Sequence, residues 1–292
     1  TSGMDHYANR HRVSSIPTDR HMSWQAIARN DLRQAAHERE TWGLLAGFFI
    51  GIGGLPVLLI RLEATEFDVF LNLLTPGVGL LVPLAGIVLG YETVIGERES
   101  GAAVLSLSLP HSRVDLIIGK LIGRTLLLAG IVTTAAFAAG LVLLGFFSSF
   151  SLVRYGGFTL LTILYGGTYL WIATTLSIAI STSRRVIVAA FCVYLGFTLF
   201  WDISISLLET ILFRFRPTTG EPETWVTFLV FAGPNTAFNY VVGEVFDAGT
   251  VPATVADTST NFVTPVIALL LLTAWAVAPV IYGYYRFRGQ DL

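Results

Sequence analysis

Between Gly90 and Lys120 the chain reads GYETVIGERESGAAVLSLSLPHSRVDLIIGK, a polar island between two apolar runs. The first run ends at Tyr91, and Glu92, Glu97, Arg98 and Glu99 follow in quick succession, a density of charge that hydrocarbon does not tolerate. The segment therefore sits in water. Past Gly101 it turns amphipathic, with Val104, Leu105, Leu107 and Leu109 interleaved with serines until Pro110; Ser112 to Asp115 then restart the chain toward Gly119-Lys120. A half-apolar element offered to water at a membrane face fits a docking surface. An ordinary interhelical loop, its charges marking the lipid boundary, has the same composition, and residue chemistry alone leaves both readings open.

Outward from the island, 53% of the 292 residues are hydrophobic and 13% charged, with a mean hydropathy of +0.68. That is too apolar for a soluble globule of this length and describes an integral membrane protein. The formal net charge is −2, and the basic residues sit at span ends without forming a patch, so no nucleic-acid surface is expected. Cys192, the single cysteine, lies in an apolar run and reads as a small core residue; it excludes an intrachain disulfide.

Six stretches are long enough to cross a bilayer as helices: approximately Trp42–Ile60, Asn72–Gly90, Leu121–Phe147, Phe158–Ile180, Val186–Leu208 and Val263–Tyr285. Arg29, Arg33, Arg39, Arg98, Arg113, Lys120, Arg124, Arg184, Arg185, Arg286 and Arg288 fall on one side of them. The other side has Arg61, Arg154, Arg214 and Arg216. The positive-inside rule then puts the island and both termini in the cytoplasm, in a multi-pass protein of the plasma membrane.

Residues 1–21 are polar and aperiodic and are expected to form a disordered cytoplasmic tail, with 22–292 as one transmembrane domain. His6, His11 and His21 match no metal-ligand spacing. From Ser23 to Thr41, Trp24, Ile27, Ala28, Leu32, Ala35 and Ala36 follow helical spacing, with Arg29, Arg33, His37 and Arg39 off that stripe. Such a helix either lies on the membrane or extends the first span. The outer segment Glu209–Phe262 holds two apolar pieces, Trp225–Ala232 and Ala237–Val242, broken at Gly233-Pro234-Asn235 and each too short to span. A re-entrant or interfacial helical hairpin fits, and counting it as a span would put Arg286 and Arg288 outside.

Small residues pair at Gly47/Gly51, Gly86/Gly90 and Gly119/Gly123, spacings that let helices approach closely. Pro76, Pro83 and Pro279 lie inside spans and are candidate kinks. Asp202 is the acid set within an apolar run, either an intramembrane functional carboxylate or a wet residue at an interface marked by Trp201. No phosphate-binding loop is present, since Val114 stands where the first glycine before Gly119-Lys120 would be required. H-E-x-x-H, G-x-S-x-G and Cys/His metal spacings are missing too, so no catalytic residue, metal site or directly bound cofactor is expected.

Glu97-Arg98-Glu99-Ser100-Gly101, then Pro110-His111-Ser112-Arg113, then Gly119-Lys120 resemble the E-R-E-x-G, P-x-S-R and G-K elements of the ABC-2 type permeases, the membrane subunits of ABC transporters. Ser23–Thr41 resembles that family's elbow helix, Trp225–Val242 its broken outer hairpin, and Tyr285-Arg286-Phe287-Arg288 its basic end. Ala102 departs from the threonine usual there. The resemblance implies an all-α membrane protein of six transmembrane helices, with an N-terminal interfacial elbow helix and a re-entrant outer hairpin before the last span. It also implies two copies of a separate ABC ATPase subunit carrying ATP and Mg, a second permease copy as homodimer or heterodimer, and export. Glu97, Arg98 and Glu99 would then dock the ATPase through polar contacts. Val104 to Leu109 would be buried against it, and Arg113 and Lys120 would anchor at the lipid boundary. Within the family, LVPLAGIVLGYETVIGERESG is similar to the NosY-type permease of nitrous-oxide-reductase maturation, which implies a role in copper-site assembly. Two readings of other classes stand beside this one: an ion-driven secondary transporter using Asp202 and Glu92, and a structural membrane anchor.

Overall fold

A computed structural model of the chain describes residues 24–99, 113–180, 182–212, 224–251, 255 and 262–288. The expected tail, 1–21, lies outside them. In chain order the helices are α1 (Trp24–Ala35), α2 (Arg39–Arg61), α3 (Phe67–Glu99), α4 (Arg113–Phe146), α5 (Leu152–Ala179), α6 (Ser183–Leu212), α7 (Thr224–Phe231), α8 (Pro234–Phe246) and α9 (Pro265–Arg288). Among the described residues the extended pairing is a single bridge between Glu66 and Ser148. Helices α2, α3, α4, α5, α6 and α9 are long and apolar enough to cross a membrane, as expected. The protein is an all-α membrane protein of six spans.

The spans divide by what covers them. Helix α5 is the central post: Tyr165, Thr168, Tyr169, Leu170 and Ala173 are fully enclosed by protein. Helices α2, α6 and α9 turn Ile50, Leu58, Ile187, Phe191, Leu270 and Ile281 outward, an apolar surface suited to hydrocarbon or to another apolar partner. Because most of α6 faces out, Cys192 is exposed and not the core residue its neighbours implied.

Glycine decides how closely α3 and α5 pack. A Cβ on Gly90 would stand 2.6 Å from the Leu170 carbonyl oxygen and 2.8 Å from Ala173 Cβ, and one on Gly86 would run into the Gly166 carbonyl. The Gly119/Gly123 pair serves α4 in the same way against α1, whereas Gly47 and Gly51 face open space. Pro76 and Pro83 lie inside an uninterrupted α3, and Pro279 inside α9. Two turns carry an extra residue in π-helical form, Phe49–Gly53 in α2 and Gly196–Phe200 in α6; nothing in the residue pattern marks either one. At the end where α3 begins, Phe67, Phe70, Phe147, Phe150 and Tyr155 pack edge to face or tilted. Arg154 covers Phe67 at 5.5 Å and pairs with Asp68 at 3.0 Å.

Candidate functional site

The apolar span of α3 ends at Tyr91, but the helix continues through Glu97, Arg98 and Glu99, about 12 Å further at ~1.5 Å per residue. Helix α4 begins at Arg113, ahead of its apolar span at Ile117. Both helices flanking the island thus extend beyond their apolar stretches. Gly101, Val104, Leu105, Leu107, Leu109, Pro110 and Ser112 lie outside the described residues. Gly119 and Lys120 are described. A Cβ on Gly119 would meet Ile27 Cβ at 2.8 Å and the Trp24 carbonyl at 2.9 Å, so α1 lies directly on this stretch of α4. Lys120 is 4% exposed there, enclosed by protein.

One turn further, α4 and α1 are joined by charge. A Cβ on Gly123 would lie 2.9 Å from both the Ala28 carbonyl and Asp31 Oδ2, which leaves the room that Arg124 needs to reach across. Its Nε stands 3.3 Å from Asp31 Oδ2, while Nη1 and Nη2 donate to Glu38 Oε2 and Oε1 at 2.9 and 3.2 Å. Arg124 and Asp31 are both buried, at 6% and 7% exposure. Thr41 Oγ1 donates to the Ala35 carbonyl at 2.6 Å, closing the corner between α1 and α2. Beside the clasp, Trp171 Nε1 of α5 donates to Thr125 Oγ1 at 2.9 Å.

A second constellation surrounds the break between α7 and α8. Helix α7 ends with carbonyls that lack intrahelical partners, and four acceptors at this end are met. Ala232 N–H donates to Phe228 O at 2.8 Å and Gly233 N–H to Val230 O at 3.1 Å. The indoles of Trp201 (α6) and Trp275 (α9) donate to Leu229 O and Ala232 O at 2.9 and 2.8 Å. The tip reaches Gly79, midway along the α3 span. The one hydrogen of Tyr165 Oη is shared between two acceptors, the Gly79 carbonyl at 3.2 Å and Asn235 Oδ1 at 3.1 Å. Pro83 has no N–H for the carbonyl four residues earlier, which is Gly79's, so the α5 hydroxyl replaces the bond proline removes. In the same opened turn Leu80 O accepts from Tyr194 Oη of α6 at 3.0 Å. The π turn of α6 brings Thr198 to 3.3 Å from Tyr169 Oη and sets Phe197 edge to face with Trp275, ring centroids 4.6 Å apart.

Asp202 belongs to this knot. Its Oδ1 accepts from Thr236 Oγ1 at 3.1 Å, in the first turn of α8, where helix N–H groups favour an anion. Trp201 is packed among Phe197, Trp275 and the hairpin tip. No group of three or more His, Cys, Asp or Glu side chains among the described residues is placed to hold a metal. The arrangement suits mechanical linkage between helices. Sequence reasoning missed Asp31, Glu38 and Arg124 as a unit. The available signal was Asp31 itself, which falls with Ala28 and Ala35 on the buried stripe of α1. Tyr165 gave no such sign, because a tyrosine in an apolar run reads as filler.

The family model described as "ABC-2 family transporter protein" matches residues 25–292. Two curated proteins named "Probable ABC transporter permease protein NosY" are similar to the chain, each 26% identical over 216 residues. The one from Pseudomonas aeruginosa is matched over 77% of its length and 73% of this chain, and the one from Stutzerimonas stutzeri over 76% and 72%.

Proposed function

The chain belongs to the ABC-2 transporter family, and on that premise we propose that it is the permease subunit of an exporter, driven through the island by two copies of a separate ATPase. The observation that carries this reading is the continuity of α3 from Gly79 at the hairpin tip to Glu99 beyond the apolar slab. One rigid rod with an end in water and its middle tied to the hairpin is a lever. Glu97, Arg98 and Glu99 at its water end, with the apolar Val104 to Leu109 after them, are the surface on which the ATPase docks. Closure of the ATPase dimer tilts α3 and α4 and switches access to the substrate. ATP and Mg stay on the partner; this chain supplies the path. The island and termini are cytoplasmic in this reading, α1 is the interfacial elbow and α7–α8 the re-entrant hairpin, and a second permease copy completes the complex.

The test is purification of the full chain from membranes with its nucleotide-binding subunit, followed by ATP hydrolysis and uptake into inside-out vesicles. Replacing Glu97 and Glu99 by alanine is expected to release the subunit or uncouple hydrolysis while the six spans stay folded. Normal coupling in that double variant overturns the docking role. Uptake by the chain alone overturns the whole reading.

The two relatives named NosY, with the resemblance of residues 81–101, favour a narrower reading within this one: a permease serving copper-site maturation of nitrous oxide reductase. Disrupting the gene is then expected to lower the copper content of that enzyme, and unchanged copper content rejects this role while leaving the permease reading intact.

A further inference from the structure

We propose that Arg124 is the positioning residue of the transport cycle: through Asp31 and Glu38 it makes α1 and the first turn of α2 move as one body with α4, so that a push received at the island reaches the first span. The inference rests on the permease reading above and adds to it residues outside the docking surface.

Three observations meet in it. Helix α4 is the element that leaves the island, and Arg124 stands about three turns into it. Helix α1 lies on α4 at Gly119 and Gly123 at distances that no Cβ would permit, so the two backbones are in contact on both sides of Lys120. The guanidinium then touches α1 through Asp31 and the α1–α2 corner through Glu38, and Thr41 closes that corner onto Ala35. A displacement of α4 therefore meets the start of α2 through three short links.

The chemistry of the links suits transmission better than cohesion. Desolvating two charges offsets most of their attraction, so a buried ion pair stabilises little more than apolar groups of the same shape. A guanidinium forked onto a carboxylate adds direction, because two parallel N–H···O bonds fix its plane. An apolar seam of equal volume would hold α1 against α4 yet allow it to slide. The clasp stands at the end of the bundle that carries the island, where that sliding would be lost motion.

The experiment uses the full chain in nanodiscs with its nucleotide-binding subunit, in a Cys192→Ser background. Spin labels are placed at Trp42 on the exposed start of α2 and at Leu160 on the exposed face of α5. Mg-ATP with vanadate is expected to shift the label-to-label distance. In Glu38→Gln, whose partly exposed side chain makes misfolding improbable, the shift is expected to shrink. In the apolar replacement Arg124→Met with Asp31→Leu and Glu38→Met it is expected to vanish, although the complex still unfolds at an unchanged temperature and keeps its subunit. A shift retained in the apolar replacement, or no shift in the parent, overturns the proposal. Loss of the subunit from Glu97→Ala with Glu99→Ala but not from the clasp variants keeps a failure of docking distinct from a failure of transmission.

Discussion

The bundle is tied at two places, and the ties are made of different chemistry. Where α1 crosses α4 the linking groups are ionised: Arg124, Asp31 and Glu38, with Lys120 buried one turn away. Around the break between α7 and α8 they are neutral except for Asp202, with tyrosine hydroxyls and tryptophan indoles donating to backbone carbonyls and one asparagine side chain. The difference follows depth. At the end of a span water and headgroups are close, and a charged cluster is tolerable if every member is matched. Midway along α3 each unsatisfied carbonyl costs several kcal/mol in hydrocarbon, and the carbonyls that need partners are those freed by Pro83 and by the end of α7. The first tie is therefore vulnerable to removal of one member, the second divided among many small bonds.

The comparison breaks first at Arg124. Arg124→Ala takes the guanidinium away from Asp31 and Glu38 and is expected to be the most destabilising of these changes, by about 3–5 kcal/mol, the usual cost of breaking a buried ion pair from one side. Thermal unfolding in nanodiscs measures it, and the apolar triple replacement should recover the loss. If Arg124→Ala unfolds like the parent, the clasp carries no charge burden and the contrast fails.

Gly233→Ala tests the neutral tie by collision. The backbone there, at φ −63° and ψ 135°, suits any residue, so the cost comes from a Cβ entering the ring of Trp201. That indole is bonded to Leu229 O and enclosed by Phe197 and Trp275. Overpacking of this kind costs about 1–3 kcal/mol, read by the same unfolding measurement. A neutral result would mean that the tip is looser than its bonds imply.

Tyr165→Phe is smaller, about 0.6–1.7 kcal/mol, the range of single interhelical hydrogen bonds in membranes. Its meaning lies in a pair. Pro83→Ala restores an N–H that the Gly79 carbonyl can accept within α3, so the loss from Tyr165→Phe should fall in that background. A double-mutant cycle reads the difference, and simple additivity would show that the hydroxyl does not replace the missing bond.

Six spans and the helix break at Gly233 could be read from residues because both are one-dimensional signals: apolar length, arginine placement and the run Gly233-Pro234-Asn235. Two of the three glycine pairs, Gly86/Gly90 and Gly119/Gly123, proved to be close approaches, while Gly47/Gly51 shows that spacing alone names no partner. The clasp stayed hidden because Arg124 reads as one more topogenic arginine and Asp31 as one polar residue in a short helix; only folding sets them 3.3 Å apart. Tyr165 and Gly79 are 86 positions apart in the chain, and no periodicity connects them. The π turns left no mark because widening a helix by one residue needs no special side chain.

The weakest expected effect decides most about Asp202. In Asp202→Asn the amide oxygen still accepts from Thr236, and what disappears is a negative charge beside the first turn of α8, worth about 0.3–1 kcal/mol. A shift of that size, with transport unchanged, makes Asp202 one more acceptor in the neutral tie. An ion-driven transporter would behave otherwise, losing flux in ATPase-free liposomes while its stability barely moved. That outcome would place a working charge in the middle of a knot otherwise built from neutral groups, and the division of labour between the two ties would no longer hold.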